Sequence, residues 1–339
     1  MSKRINCIDS LKGLAMIMVV AGHIIVFCGL GYDNLYVKNI VMINMPLFLF
    51  LNGLVVRKLP VENASSYFIE KFGKIMIPFL AWGVLITIFR NQSYWDFLFD
   101  FWKFGYWYLI VLFEFYIIYW ILGMLLDILQ RKISALKIRN LLTVVLLVLA
   151  YFCVRLGVRF LSDDILSLTS YFQVLEYYPY FFLGVVIKQF DLTGIIRMNG
   201  SVMMTTLLIL TPLVYCLWIK SDSLFSMFIL RILCVLSLYV VGLIFDYKRK
   251  TDNFINTILT TIGRHTLAIY MIQFYMFSTI NFHELYSLLD STGNVMAIVV
   301  LSALSAIVLC YVCILVEKLI NTSRPLSSIL FGNKYIKNA

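Results

Sequence analysis

Ten apolar stretches, each close to the length that crosses a bilayer, fill most of this 339-residue chain and restrict it to one kind of fold. They run at about 10–30, 39–56, 72–90, 104–126, 140–161, 170–187, 201–219, 224–245, 255–280 and 295–316. In hydrocarbon every backbone N–H and C=O must be paired inside the protein, so stretches of this length fold as helices. With 62% hydrophobic and only 14% charged residues, the composition excludes a soluble globular protein. The expectation is an all-α polytopic membrane protein of about ten transmembrane helices. No linker, low-complexity tract or repeat divides it, so residues 1–339 read as a single integral-membrane domain.

Orientation follows from the basic residues. With a cytoplasmic N-terminus, twenty of the 28 Lys and Arg fall on that side, from Lys3, Arg4 and Lys12 to Lys334 and Lys337. Six fall on the other side (Lys38, Arg90, Lys103, Arg155, Arg159 and Lys220), while Arg231 and Arg264 lie within stretches eight and nine. This is a strong positive-inside bias, and an even number of spans returns the C-terminus to the cytoplasm. The net charge of +10 is accounted for by topology and by contact with anionic membrane lipid. No basic soluble domain is present for a nucleic acid to bind. Lys3 and Arg4 precede an apolar run as in a signal peptide, but the run carries Asp9, Lys12 and His23 and lacks a small-residue cleavage site, so it reads as a retained first span.

The seven cysteines lie almost entirely within apolar stretches, and Cys310 and Cys313, spaced CxxC without His or acidic company, read as packing residues. Three scattered histidines (His23, His265 and His283) give no zinc-site spacing, so no metal is expected.

The first stretch nevertheless holds an acid, a base and an imidazole. On a helix, eleven residues advance about 1100°, so Lys12 and His23 fall within roughly 20° of each other, with Asp9 on the adjoining strip. At about 1.5 Å per residue, His23 lies roughly 16 Å deeper than Lys12. Ionisable groups inside a bilayer are expensive and read as a functional path facing the bundle interior.

Further polar clusters follow in order. Asn44 and Asn52 flank Pro46 in the second stretch and read as cavity-lining amides or as glue between helices. Lys71 and Lys74 share a helix face at the start of the third, as a phosphate site or as anchors snorkelling to headgroups. Trp107 opens the fourth stretch, either in the interfacial aromatic belt or against substrate. Glu114, inside it, calls for a cavity or a cation such as Arg231 or Arg264. Arg155, Arg159, Glu176 and Arg231 form a candidate acceptor region, and Arg264 and His265 precede Tyr270 and Gln273 in the ninth stretch.

In these residues the chain resembles the acyltransferase 3 membrane family, within it the branch of fucose 4-O-acetylase-like and capsule or O-antigen O-acetyltransferases. That family opens with Asp, two residues, Arg or Lys, ten residues and His, matched by Asp9, Lys12 and His23. Its His-Met-Pro-Leu-Phe-Phe and Ser-Gly motif is similar to Met45-Pro46-Leu47-Phe48 and Gly53, with Asn44 and Asn52 in place of His and Ser. Its Arg-x-x-Arg ahead of Pro resembles Lys71, Lys74 and Pro78, its Trp-x-Leu resembles Trp107 and Leu109, and its late motif resembles Ile262, Gly263, Leu267, Ile269 and Tyr270, with Gln273 where His is common.

The resemblance implies a cell-envelope O-acetylation enzyme of the bacterial plasma membrane. Acetyl-CoA would be the donor substrate arriving from the cytoplasm, with no bound cofactor, and a hydroxyl of a surface polysaccharide or lipid-linked sugar the acceptor. It also implies that His23 is essential. Lys12, Lys71 and Lys74 would neutralise coenzyme A phosphates, as point charges without arginine's bidentate fork. Neutral His23 would act as general base or carry the acetyl as an acyl-imidazole, with Asp9 orienting Lys12. The other readings are a polytopic transporter or flippase for a glycan, against which stands the absence of an inverted repeat, and an inactive relative marked by the Lys, Asn and Gln replacements.

Overall fold

The computed structural model of the chain describes residues 6–30, 35–58, 64–130, 136–221, 223–248, 253–280, 284 and 295–332. His283 and the charges Lys3, Arg4, Arg131, Lys132, Arg249, Lys250, Lys334 and Lys337 lie outside the described residues. Every regular element among the described residues is helical.

Among the described residues, eight helices are long and apolar enough to cross a membrane: Cys7–Cys28, Val37–Val55, Ser65–Arg90, Trp107–Leu129, Ile138–Gly157, Gly200–Ser221, Leu224–Asp246 and Ala297–Ile320. They match eight of the ten apolar stretches. The sixth stretch forms a helix, Tyr171–Gln189, but Gln173, Glu176, Lys188 and four tyrosines dilute its apolarity. The ninth is not one rod. It breaks at His265, where the backbone takes φ −110° and ψ 17°, into Phe254–Arg264 and Thr266–Thr279.

The chain divides into two compact units. The first comprises the chain up to Asn52 and from Asp191 to Val316, the second Gly53–Phe190 and the chain from Glu317 onward.

In the first unit, α1 (Asn6–Ile25) continues into a π-helical turn, Val26–Leu30. It is joined by α2 (Leu35–Val55, as far as Asn52), α10 (Leu192–Met198), α11 (Gly200–Ser221), α12 (Leu224–Lys248), α13 (Phe254–Arg264), α14 (Thr266–Thr279) and α15 (Val295–Ile320, as far as Val316). The most extensive packing is α1 along α13, and α11 along α12. Two glycines make the first of these possible. A Cβ on Gly13 would collide with the carbonyl oxygen of Leu259, and one on Gly263 with that of Asp9, so the backbones of α1 and α13 touch where neither carries a side chain. Met42, Trp218 and Leu230 form a smaller core, and Phe50 meets the Tyr239 ring edge-on at 5.3 Å.

In the second unit, α3 (Ala64–Lys71) passes through a π-helical turn, Phe72–Met76, into α4 (Ile77–Arg90). A short α5 (Tyr94–Phe99) starts from a capping box, with Ser93 Oγ accepting from Trp95 N and Asp96 Oδ2 accepting from Ser93 N. Then come α6 (Trp107–Gln130), α7 (Leu136–Gly157), α8 (Asp163–Leu168) and α9 (Tyr171–Gln189). Stacked rings bind α6 to α9, with Phe115 on Phe181 at 5.1 Å and Trp107 on Tyr177 at 5.2 Å. A final amphipathic helix, α16 (Arg324–Phe331), docks on α4 through Trp82, whose Nε1 donates to the Leu330 carbonyl at 2.8 Å.

Candidate active site

The three residues of the polar stripe share α1, and the structure supplies partners that the sequence did not assign. Asp9 is buried and its carboxylate lies 3.5 Å from Arg264 Nε on α13. The glycine crossing explains this ion pair: Gly263 brings the α13 backbone onto Asp9, and the next residue carries the guanidinium. On sequence Arg264 reads as a cavity residue or a partner for Glu114. In the fold it is a counter-ion for Asp9. Lys12 donates to Asn52 Oδ1 of α2 at 3.3 Å, while Asn52 Nδ2 donates to the Phe48 carbonyl at 2.9 Å. The residue standing where the family has serine thus holds the lysine of the first motif. Nearly three turns further along α1, Gly22 faces Ile40 of α2, and beside it stands His23.

Beyond the break at His265, α14 presents Phe274 and Phe277 to the His23 ring. Phe274 meets the ring at 5.2 Å with an interplanar angle of 63°, Phe277 at 5.7 Å and 54°, and Phe27 stacks on Phe277 at 5.1 Å. Among the described residues the His23 nitrogens have no hydrogen-bond partner. Apolar walls on two sides and an uncommitted nitrogen suit an imidazole that accepts a proton from a bound hydroxyl. Gln273, beside Phe274, is fully buried, with Nε2 donating to the Tyr270 carbonyl and Oε1 unpaired within the described structure. Asn44 is buried and turned onto its own chain, accepting from Met45 N. Arg231 is buried on α12.

The second unit holds the remaining candidates. Lys71 sits over two rings, with Nζ 4.2 Å from the Tyr116 centroid and 5.3 Å from that of Tyr67. Lys74, in the π-helical turn, pairs with Glu70 at 2.8 Å. Trp107 is buried between Tyr177 and Trp102. Glu176, Arg155 and Arg159 are all exposed on this unit.

Within the second unit, the cation that bears on Glu114 electrostatically is Lys103. Lys103, with no exposed surface, donates through Nζ to the carbonyls of Asp100 and Ser167, both at 2.6 Å. Burial pushes the Lys103 ammonium down to about 8, against the upward pull of Asp100 and then Glu114. Lys103 and Phe104 both adopt left-handed backbone, φ 49° and 51°, as does Ser170 at φ 48°, whose hydroxyl donates to the Phe101 carbonyl at 2.9 Å. The corner before α6 is therefore tied to the corner before α9 by two side chains. A lysine four residues ahead of the Trp-x-Leu motif was the only signal for this arrangement.

Among the described residues no group of three His, Cys, Asp or Glu converges on a common point as a metal site would require. Comparisons with curated proteins and with solved structures give no match. A family model described as "Acyltransferase domain" matches residues 5–315, running through both compact units and through every motif discussed above. The chain is a multi-pass membrane protein and belongs to the acyltransferase 3 family.

Proposed function

We propose that this membrane acyltransferase transfers an acetyl group from acetyl-CoA to a hydroxyl of a cell-surface polysaccharide or lipid-linked sugar, at the cytoplasmic membrane of a bacterium, with both chain ends in the cytoplasm. The observation that carries the reading is His23, an imidazole held between Phe274 and Phe277 with nitrogens uncommitted, on the helix that also bears Asp9 and Lys12. In the reaction the acceptor hydroxyl attacks the thioester carbonyl while His23 takes its proton. The tetrahedral intermediate expels the coenzyme A thiolate, and the proton on His23 passes to the thiolate, restoring the neutral base. General-base assistance of this kind contributes about 10² to 10⁴ in rate. Arg264 holds Asp9 and Asn52 holds Lys12, which fixes the charges of the stripe before substrate arrives. In the second unit Lys71 and Lys74 are assigned the phosphates of the donor, and Trp107 and Glu114 the acceptor side.

The test is purified protein in lipid bilayers given radiolabelled acetyl-CoA and a bacterial glycan extract. Label in the glycan is the expected result, with one free thiol formed per acetyl transferred. Movement of unmodified glycan across the bilayer with the thioester intact would replace this reading by a flippase.

A further inference from the structure

Lys74 does not stand alone with its ion pair. The Glu70 carboxylate that accepts from Lys74 at 2.8 Å also lies 3.4 Å from Arg57 Nη2, and Lys71, one residue along, bears on the same carboxylate electrostatically. Three cations thus surround one acid. Aromatic rings hold them in place: Arg57 lies 5.4 Å and Lys71 5.3 Å from the Tyr67 centroid, and the Tyr119 hydroxyl donates to the Arg57 carbonyl. Beside Lys74 opens a cavity of about 470 Å³, lined by Glu70, Gly73, Lys74 and Ile77 and bounded by Ser328 of α16 and Gly332 just after it. Lys74 is also in the π-helical turn, a distortion of the helical ladder that recurs at functional sites. Gly332 has φ +64°, and a Cβ there would stand 2.7 Å from the Lys74 Cα, so only glycine lets the chain end close on this turn.

An exposed Lys–Glu pair at i, i+4 stabilises a helix by only a few tenths of a kcal/mol. Its partner carboxylate is therefore easily exchanged for an anion of higher charge, and a diphosphate offers two phosphate groups to three cations. We propose that Arg57, Lys71 and Lys74 form a three-cation diphosphate site in which Glu70 is a resident counter-ion, displaced when a phosphate-bearing ligand binds. In the acetyl-CoA reading, on which this assignment to the donor rests, Arg57 is a donor-binding residue and Glu70 sets donor affinity by competing with it.

Calorimetric titration of the full chain in phosphatidylcholine nanodiscs with coenzyme A, and separately with inorganic pyrophosphate, tests the site. Glu70→Gln is expected to tighten both anions about fivefold, Glu70→Asp to leave them near wild type, and Arg57→Gln to weaken both about fivefold, with all differences shrinking at high salt. Unchanged or weaker binding in Glu70→Gln overturns the competition, and unchanged binding in Arg57→Gln removes the third cation. The expected pattern with pyrophosphate but no coenzyme A binding would keep the site and reject the acetyl-CoA reading. Coenzyme A binding that ignores both substitutions would do the reverse. If Glu70→Gln responds only to added phosphatidylglycerol and not to soluble pyrophosphate, the cations serve lipid headgroups and the proposal falls.

Discussion

The two compact units treat charge in opposite ways. In the first, the ionisable groups of α1 find partners far away in sequence: Asp9 is paired with Arg264, 255 residues distant, and Lys12 donates to the neutral amide of Asn52, 40 residues distant. In the second, Glu70 is satisfied by Lys74 four residues on and Arg57 thirteen residues back, and its side chain is 24% exposed against 10% for that of Asp9. The first arrangement fixes side chains rigidly through helix packing. The second leaves them exchangeable. Rigid charge suits a site where bonds are made, where misplacement by an ångström is costly, and exchangeable charge suits capture of an anionic substrate.

Substitution at the glycine crossing breaks this contrast most severely. Gly263→Ala places a methyl group on the Asp9 carbonyl, so α13 must move off α1. Overpacking of this kind typically costs about 1–3 kcal/mol, and the expected outcome is a marked loss of thermal stability together with transfer activity. Gly73→Ala, which meets no atom within 4 Å, is the matched control in the second unit and should leave stability near wild type.

The Asp9–Arg264 pair gives the next largest effect. Asp9→Asn and Arg264→Gln should each lower thermal stability, and the double variant should recover part of the loss, with a coupling of about 0.5–3 kcal/mol. The same cycle on Glu70 and Lys74 should give less than about 1 kcal/mol, because that pair is an i, i+4 pair on one helix and its acid is more exposed than Asp9. Equal couplings would erase the distinction between rigid and exchangeable charge.

Lys103 provides a pH test. Its folded-state pKa of about 8 lies below that of an unfolded lysine, so between pH 8 and about 10.4 the unfolded chain holds a proton that the folded chain has released. Stability should therefore rise with pH across that window. Lys103→Met should flatten this slope in thermal unfolding followed at several pH values. The smallest effect is expected at Lys74, where Lys74→Gln should raise the KM for the acyl donor several-fold with kcat little changed. A fall in kcat at constant KM would place Lys74 with the chemistry instead of with donor capture.

Much of this was legible in the sequence, for identifiable physical reasons. Long apolar stretches must be helical in lipid, and eight of the ten form helices fit to span. The exceptions are informative. The Tyr171–Gln189 helix carries too many polar atoms for an apolarity criterion, and the stretch at 255–280 conceals a break at His265 that no proline announces. The alignment of Asp9, Lys12 and His23 on one helix follows from the 3.6-residue repeat. Their partners do not, because helical periodicity says nothing about which other helix lies alongside. Arg264 reached Asp9 through a glycine contact, and Asn52 reached Lys12 from the family's serine position. Glu114 illustrates the same gap: an acid in a span demands a cation, but in the sequence Lys103 is one of six cations on the outer side, and only its burial against the Asp100 and Ser167 carbonyls and its electrostatic pull on Glu114 mark it as the charge concerned. The short-range pair Glu70–Lys74 follows from the i, i+4 spacing on one helix face.

The central claim is that an imidazole held between Phe274 and Phe277 accepts the proton of the acceptor hydroxyl. Single-turnover transfer from radiolabelled acetyl-CoA, wild type beside His23→Ala in the same bilayers, tests it most directly. The account predicts that His23→Ala inserts normally, binds coenzyme A with unchanged affinity and loses transfer by about 10² or more. Transfer at the wild-type rate by the His23→Ala protein would contradict it and move the chemistry elsewhere in the chain.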